Sequence, residues 1–237
     1  MKQIIAMHGW CSDSKYWNIW EKSFESNGWC WESADRGYAN GKDSSPTWKA
    51  NTSNRSPKKK VLVCHSLGTL LINKEIISKA SHIVFINSFS RFLPISKESR
   101  ALKIGLQGMQ KKLGTMEEKR MFYLFWEKAS FPHKLKEVNP GLLTKNISSQ
   151  GFQKLKADLN LLINAQRLPN EINKRTKVLV LDGAKDRIVI PKAKADLMEE
   201  LSKRLESDPE HWVIHDEGHV ILSPQIIQNT RLWLESD

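Results

Sequence analysis

Ser66, Asp186 and His219 are the residues whose types, order and settings could together carry out acyl transfer. Ser66 stands in Cys64-His65-Ser66-Leu67-Gly68, directly after the β-type run Val61-Leu62-Val63-Cys64 and just before the helix-type residues Leu70-Leu71-Ile72. A serine that only caps a helix needs no special turn. Small residues two positions to either side are what a tight strand-to-helix turn demands, and such a turn lifts the serine hydroxyl clear of the backbone as a nucleophile. Cys64 takes the first small position, where glycine is usual, and is small enough to fit.

A serine hydroxyl needs a base, and the base needs an orienting acid. In this strand-helix order the base falls last in the chain, and "WVIHDEGHVIL" supplies His219 after Gly218. The acid follows the penultimate strand, where "VLVLDGAKDRIVIP" offers Asp182 and Asp186. Asp186 lies beyond the strand end, within reach of a histidine, and is the expected acid; Asp182 is expected to tie down the turn. No carboxylate follows Phe85-Ile86-Asn87-Ser88-Phe89 until Glu98, which argues against an acid there. Two N–H donors for a tetrahedral oxyanion are expected from Leu67, after the nucleophile, and from Trp10 in the loop "AMHGWCSDSKYW", where Gly9 allows close approach. The histidines His8 and His65 read as loop buttresses. His82, His133, His211 and His215 form no ligand pattern, so neither a metal nor a cofactor is expected.

These residues need a scaffold, and the apolar pattern supplies one. Short β-type runs recur at Gln3–Met7, Trp29–Glu32, Lys60–Cys64, His82–Asn87, Lys177–Asp182 and Glu210–His215, the pattern of strands buried on both faces of a parallel sheet. Helical periodicity fills Trp17–Phe24, Thr69–Ala80, Ala193–Leu205 and Ser223–Leu234. Strand alternating with helix predicts an α/β, doubly wound, mostly parallel sheet of about six strands. Residues 90–168 break the alternation with amphipathic stripes (Leu102, Leu106, Met109, Leu113; Phe152, Leu155, Leu159, Leu162) and a capping-box pattern at Thr115 and Glu118. They read as a helical lid inserted into a core made of 1–89 and 169–237. Asp43–Lys60 reads as a surface connection.

Composition narrows the class. The 237 residues are 40% apolar, enough for one sizeable core. Neither a membrane-spanning run nor an export leader is evident, and the three cysteines Cys11, Cys30 and Cys64 suggest neither a disulfide framework nor a zinc site, so a soluble cytoplasmic protein is expected. The net charge of +11 is concentrated between Arg91 and Ala165, where fourteen Lys and Arg face six Asp and Glu. Such an excess is either a solvated face or an attractor for an acidic partner.

With these pieces in order, nearly the whole chain resembles the α/β-hydrolase superfamily. Within it, "HGWCSDSKYW" and "HSLG", with the start of the insertion from "SFSRF" into "ALKIGLQGMQKKLGTMEEKRMFYLFWE", are similar to the carboxylesterases of biotin synthesis that demethylate pimeloyl-acyl-carrier-protein methyl ester. The resemblance implies Ser66, Asp186 and His219 as triad and Trp10 and Leu67 as oxyanion donors. It also implies a four-helix lid and an acidic acyl carrier protein as the bearer of substrate. Lys111, Lys112, Lys119 and Arg120, the densest cationic cluster, are candidates for docking that carrier. The sequence departs from the pattern at Cys64, and it begins at what corresponds to the third strand, which leaves two antiparallel edge strands missing or reduced. A monomer is expected, with no nucleic-acid or membrane partner. The alternatives are a thioesterase or small-ester esterase with the same triad and, from another class, a non-catalytic basic binding module; serine-directed labelling separates the last from the others.

Overall fold

Runs of Val, Ile and Leu flanked by Gly, Ser and Asn become strands where both faces are covered, and six of them form one sheet. They are β1 (Lys2–Met7), β2 (Cys30–Ala34), β3 (Lys59–His65), β4 (His82–Ile86), β5 (Lys177–Gly183) and β6 (Glu210–Ile214). The computed structural model describes residues 2–49, 59–138, 141–143 and 145–236. Part of the expected surface connection, 50–58, lies outside the described residues. All five strand pairs are parallel, in the order β2-β1-β3-β4-β5-β6. The chain runs outward from β1 to β2 and then returns past β1 to β3, so the winding direction reverses between β1 and β3, whose ends are in register at Met7 and Cys64. A crevice opens outside the carboxyl ends of strands at such a switch point.

Helices cover both faces. On one side α3 (Lys74–Ser78) and α8 (Pro191–Arg204) bury Ile76, Ile77, Leu197 and Leu201 against Ile5, Leu62 and Phe85. On the other, α1 (Asn18–Glu25) and α9 (Pro224–Glu235) bury Trp20, Phe24, Ile227 and Leu234 against Ile4, Val61 and Val84. The predicted helix 69–80 is two pieces, α2 (Gly68–Leu71) and α3. Ile72 is extended, and Asn73 restarts the helix by accepting from the Glu75 N–H, a stronger N-cap preference than helical continuation through an asparagine. The sixth strand also departs from expectation: at the sheet edge β6 is largely exposed rather than buried on both faces.

Between β4 and β5 lie α4 (Ser99–Lys112), α5 (Glu118–Ser130), the short α6 (Leu135–Val138) and α7 (Ser149–Asn164). Their apolar stripes join the α1/α9 side of the core through Leu106, Phe122, Trp126, Leu155 and Leu159. At α5 the Thr115 hydroxyl accepts from the Glu117 N–H, and the Glu118 carboxylate reaches back to the Gly114 N–H rather than to Thr115. Polar clamps hold the segment down. Arg36 makes two 2.9 Å hydrogen bonds to Asp158 of α7, and the Tyr38 hydroxyl donates to the same carboxylate at 2.7 Å. A bidentate, charge-assisted pair of this kind is among the stronger side-chain contacts. No helix among the described residues is long and apolar enough to cross a membrane.

Candidate active site

Ser66 follows β3 with φ of 54°, in the left-handed region that costs a non-glycine residue about 1 kcal/mol or more. The turn is held from both sides: the Ser66 N–H donates to Ile86 O at 2.9 Å, and Ser88 Oγ donates to Ser66 O at 2.7 Å. Gly68 is required because a Cβ there would stand 2.4 Å from Met7 O, where α2 crosses the end of β1. Cys64 is fully buried, and burial pushes its thiol up to about 12, so it is an unreactive space-filler behind the turn.

Asp186 and His219 meet. His219 Nδ1 lies 3.1 Å from Asp186 Oδ2, while Asp186 Oδ1 accepts from the Ile188 and Val189 N–H groups at 2.7 and 3.1 Å. Burial alone would raise the Asp186 carboxyl, but His219, Lys194 and the Ile188 amide outweigh it and hold the group below the usual carboxylate range. An ionised acceptor requires His219 to carry its proton on Nδ1, which leaves Nε2 free to accept one. His219 and Ser66 line one cavity of about 510 Å³, between the strand ends and helices α4, α5 and α7. Apart from these residues its wall is mostly apolar, with Phe92, Leu106, Met121, Phe125, Trp126 and Leu159 among the lining side chains.

The candidate oxyanion donors belong to the same place. Trp10 and Ser66 line the cavity together, and Leu67 is fully buried next in the chain. Neither the Trp10 nor the Leu67 N–H donates to a protein acceptor among the described residues. Indole groups pin the Trp10 loop to the helices above it: Trp10 Nε1 donates to Leu155 O at 3.0 Å, and Trp126 Nε1 donates to Cys11 O at 3.1 Å.

The two neighbouring histidines act as buttresses. His8 Nδ1 donates to Gly9 O and its Nε2 accepts from the Arg36 N–H. His65 stacks on Tyr16 at 4.5 Å and donates from Nε2 to His219 O at 2.8 Å; burial first, and then the neighbouring His219, hold it well below the usual histidine range and therefore neutral. Asp182 stays at its strand end, 2.9 Å from His211 and 3.3 Å from Lys194, and makes no contact with His219.

The four candidate docking cations are not brought to one spot. Lys112 lines the main cavity, Lys119 lines a separate cleft with Lys145, and Lys111 and Arg120 are exposed. Two other cations, Lys128 and Arg187, join Lys112 at the main cavity, whose lining contains no Asp or Glu among the described residues. Sequence reasoning also passed over Asn87, which it searched only for a carboxylate. With φ of 45°, Asn87 donates to Gly218 O and His219 O at 2.8 and 3.0 Å and accepts from the Gly183 N–H at 2.8 Å. A turn-forming asparagine directly after a strand was the available signal.

No family model and no curated protein sequence matches the chain. Solved structures do. An esterase from Exiguobacterium antarcticum superposes with a TM-score of 0.69 at 13% identity, over 99% of this chain and 91% of its own. A bromoperoxidase from Bacillus anthracis gives 0.66 at 14% identity over 98% and 91%, and MenH from S. aureus gives 0.60 at 13% identity over 99% and 93%. The chain therefore has the α/β-hydrolase fold. Proteins so differently named share it, so the activity has to be argued from the site.

Proposed function

We propose that the protein is a serine carboxylester hydrolase acting through an acyl-enzyme on Ser66. The observation that carries this is the left-handed Ser66 opening into the same apolar cavity as His219, whose Nδ1 rests on the buried Asp186. In this reading His219 Nε2 takes the Ser66 hydroxyl proton as Oγ attacks the ester carbonyl. The oxyanion is received by the N–H groups of Trp10 and Leu67. Collapse breaks the C–O bond to the alcohol, which leaves with the proton returned by His219. Water then adds to the acyl carbonyl, giving its proton to His219, and the acid departs as Oγ is reprotonated.

The substrate proposed is pimeloyl-acyl-carrier-protein methyl ester, with methanol as the alcohol. The cavity, about 510 Å³ with a mostly apolar wall, suits an acyl chain. Its lining charges are the cations Lys112, Lys128 and Arg187, and the surrounding residues 91–165 carry the basic excess that would draw an acidic carrier. The helical segment over the cavity would then serve as its lid.

The test is methyl-ester cleavage on the purified carrier, with Ser66→Ala beside wild type. Expected is a loss of at least about a thousandfold in turnover, with the thermal transition unchanged within a few degrees. Full activity in Ser66→Ala would remove the acyl-enzyme, and a thioester cleaved faster than the methyl ester would reassign the substrate.

A further inference from the structure

Against Asp186 stands a cation that is not among the residues lining the cavity. Lys194, one turn into α8, has a side chain only 13% exposed. Its Nζ lies 3.1 Å from Asn87 Oδ1, 3.0 Å from Gly183 O, and 3.3 Å from both Asp182 Oδ1 and Asp186 Oδ2. An ammonium brought this far out of water is costly unless oxygens replace its hydration, and here two oxygens accept its hydrogen bonds while two carboxylate oxygens stand within ion-pair distance. They come from two neighbouring strand ends: Asn87 follows β4, Asp182 and Gly183 close β5, and Asp186 lies in the loop just beyond β5. Asn87, on the same Nζ, also reaches the carbonyls of Gly218 and His219 after β6.

We propose that Lys194 is a positioning residue for the acid and base, holding Asp186 on His219 through the buried node it forms with Asn87. This rests on the hydrolase reading for its catalytic meaning, though not for its geometry. The consequence is electrostatic as well as mechanical. Two carboxylates, Asp182 and Asp186, are buried within reach of one ammonium. Facing them from other elements are His211 of β6 on Asp182 and His219 on Asp186, with neutral His65 at 4.7 Å from the His219 ring; nearby, Glu217 is paired with His133, and Asp196 of α8 with Lys192 and Arg91. Without the Lys194 charge, Asp182 would keep His211, and Asp186 would keep His219 and the Ile188 and Val189 N–H groups, but both carboxylates would lose the buried ammonium they share. The imidazolium form of His219 would be favoured, so the base would be blocked by a proton at higher pH.

The sign can be read directly. Lys194→Met should raise the midpoint of His219 titration by about one pH unit, and Lys194→Arg, which keeps the charge, by less than half of that. The imidazole resonances of the full chain, followed by ¹H–¹⁵N NMR from pH 4 to 9, report this without any substrate. The acid limb of kcat/KM for a p-nitrophenyl ester should move by the same amount. A His219 midpoint unchanged in Lys194→Met, or moved equally by Lys194→Arg, would overturn the assignment. An inactive wild type with the NMR shift present would instead sink the hydrolase reading and leave the node standing. If Lys194→Met does not fold, Lys194→Gln and Lys194→Arg supply the same comparison.

Discussion

At the scale of single residues, the site depends on side chains that take no part in the proposed proton transfers. His65 is the clearest case, since it supports the base loop through one hydrogen bond to a backbone carbonyl and one ring face against Tyr16. It is neutral in the folded chain because burial disfavours its charge, whereas the unfolded chain binds a proton near the ordinary histidine value of about 6.5. The folded value is the lower one, so this contribution to stability is complete above about pH 6.5. It drains away as pH falls from there toward the folded value, with a slope of up to about 1.4 kcal/mol per pH unit. Urea unfolding at pH 7.5 and 5.0 measures it. His65→Asn should be less stable than wild type at pH 7.5 and lose less on acidification; an identical pH loss in both would show that His65 is not the group responsible.

At the scale of elements, most of what positions the site was readable. All six strands announce themselves as short β-type runs, and the four central ones, covered on both faces, can hold little but apolar residues. The order of serine, acid and histidine, after β3, β5 and β6, then follows from chain order alone. What was not readable depends on contacts made across large sequence separations. Asn87, Gly183 and Lys194 converge only after β4 and β5 pair and α8 folds back, and nothing local marks an interior lysine. The break at Asn73 was missed because the apolar spacing continues through it while the cap interrupts the backbone. Helix α4 holds a different kind of signal. Gly105 and Gly108 sit inside it, where glycine costs roughly 0.5–1 kcal/mol relative to alanine, yet a Cβ at either would meet nothing within 4 Å. Both line the cavity, so the space they leave belongs to whatever fills it. Gly105→Ala should raise the thermal transition by a few degrees with activity kept. Gly105→Leu should shorten the longest p-nitrophenyl acyl ester turned over, while short esters remain substrates. An unaltered chain-length profile in Gly105→Leu would show that the acyl group does not pass α4.

At the scale of the whole molecule, the uneven charge makes the proposed carrier-borne substrate separable from a free ester by its response to salt. The basic excess of residues 91–165 reaches the cavity at Lys112 and Lys128, and other cations of it lie elsewhere, with Lys119 and Lys145 in a second cleft and Arg91 in a third. A dispersed field of this kind steers a large acidic partner more than it binds a small ester, and steering is screened as the Debye length contracts from about 10 Å at 0.1 M salt to about 3 Å at 1 M. Between those salt concentrations, kcat/KM for the carrier-borne methyl ester should fall by at least tenfold, while a neutral p-nitrophenyl ester changes less than twofold. Reversing two exposed charges, Lys119→Glu and Arg120→Glu together, should lower the carrier reaction by about five- to tenfold at low salt through KM alone. Small-ester turnover should not change, because neither side chain lines the cavity. Equal salt sensitivity for both substrates would mean that the field acts on the reacting ester and not on a docked carrier. Loss of both activities in the double variant would mean that these cations support the helices rather than a partner.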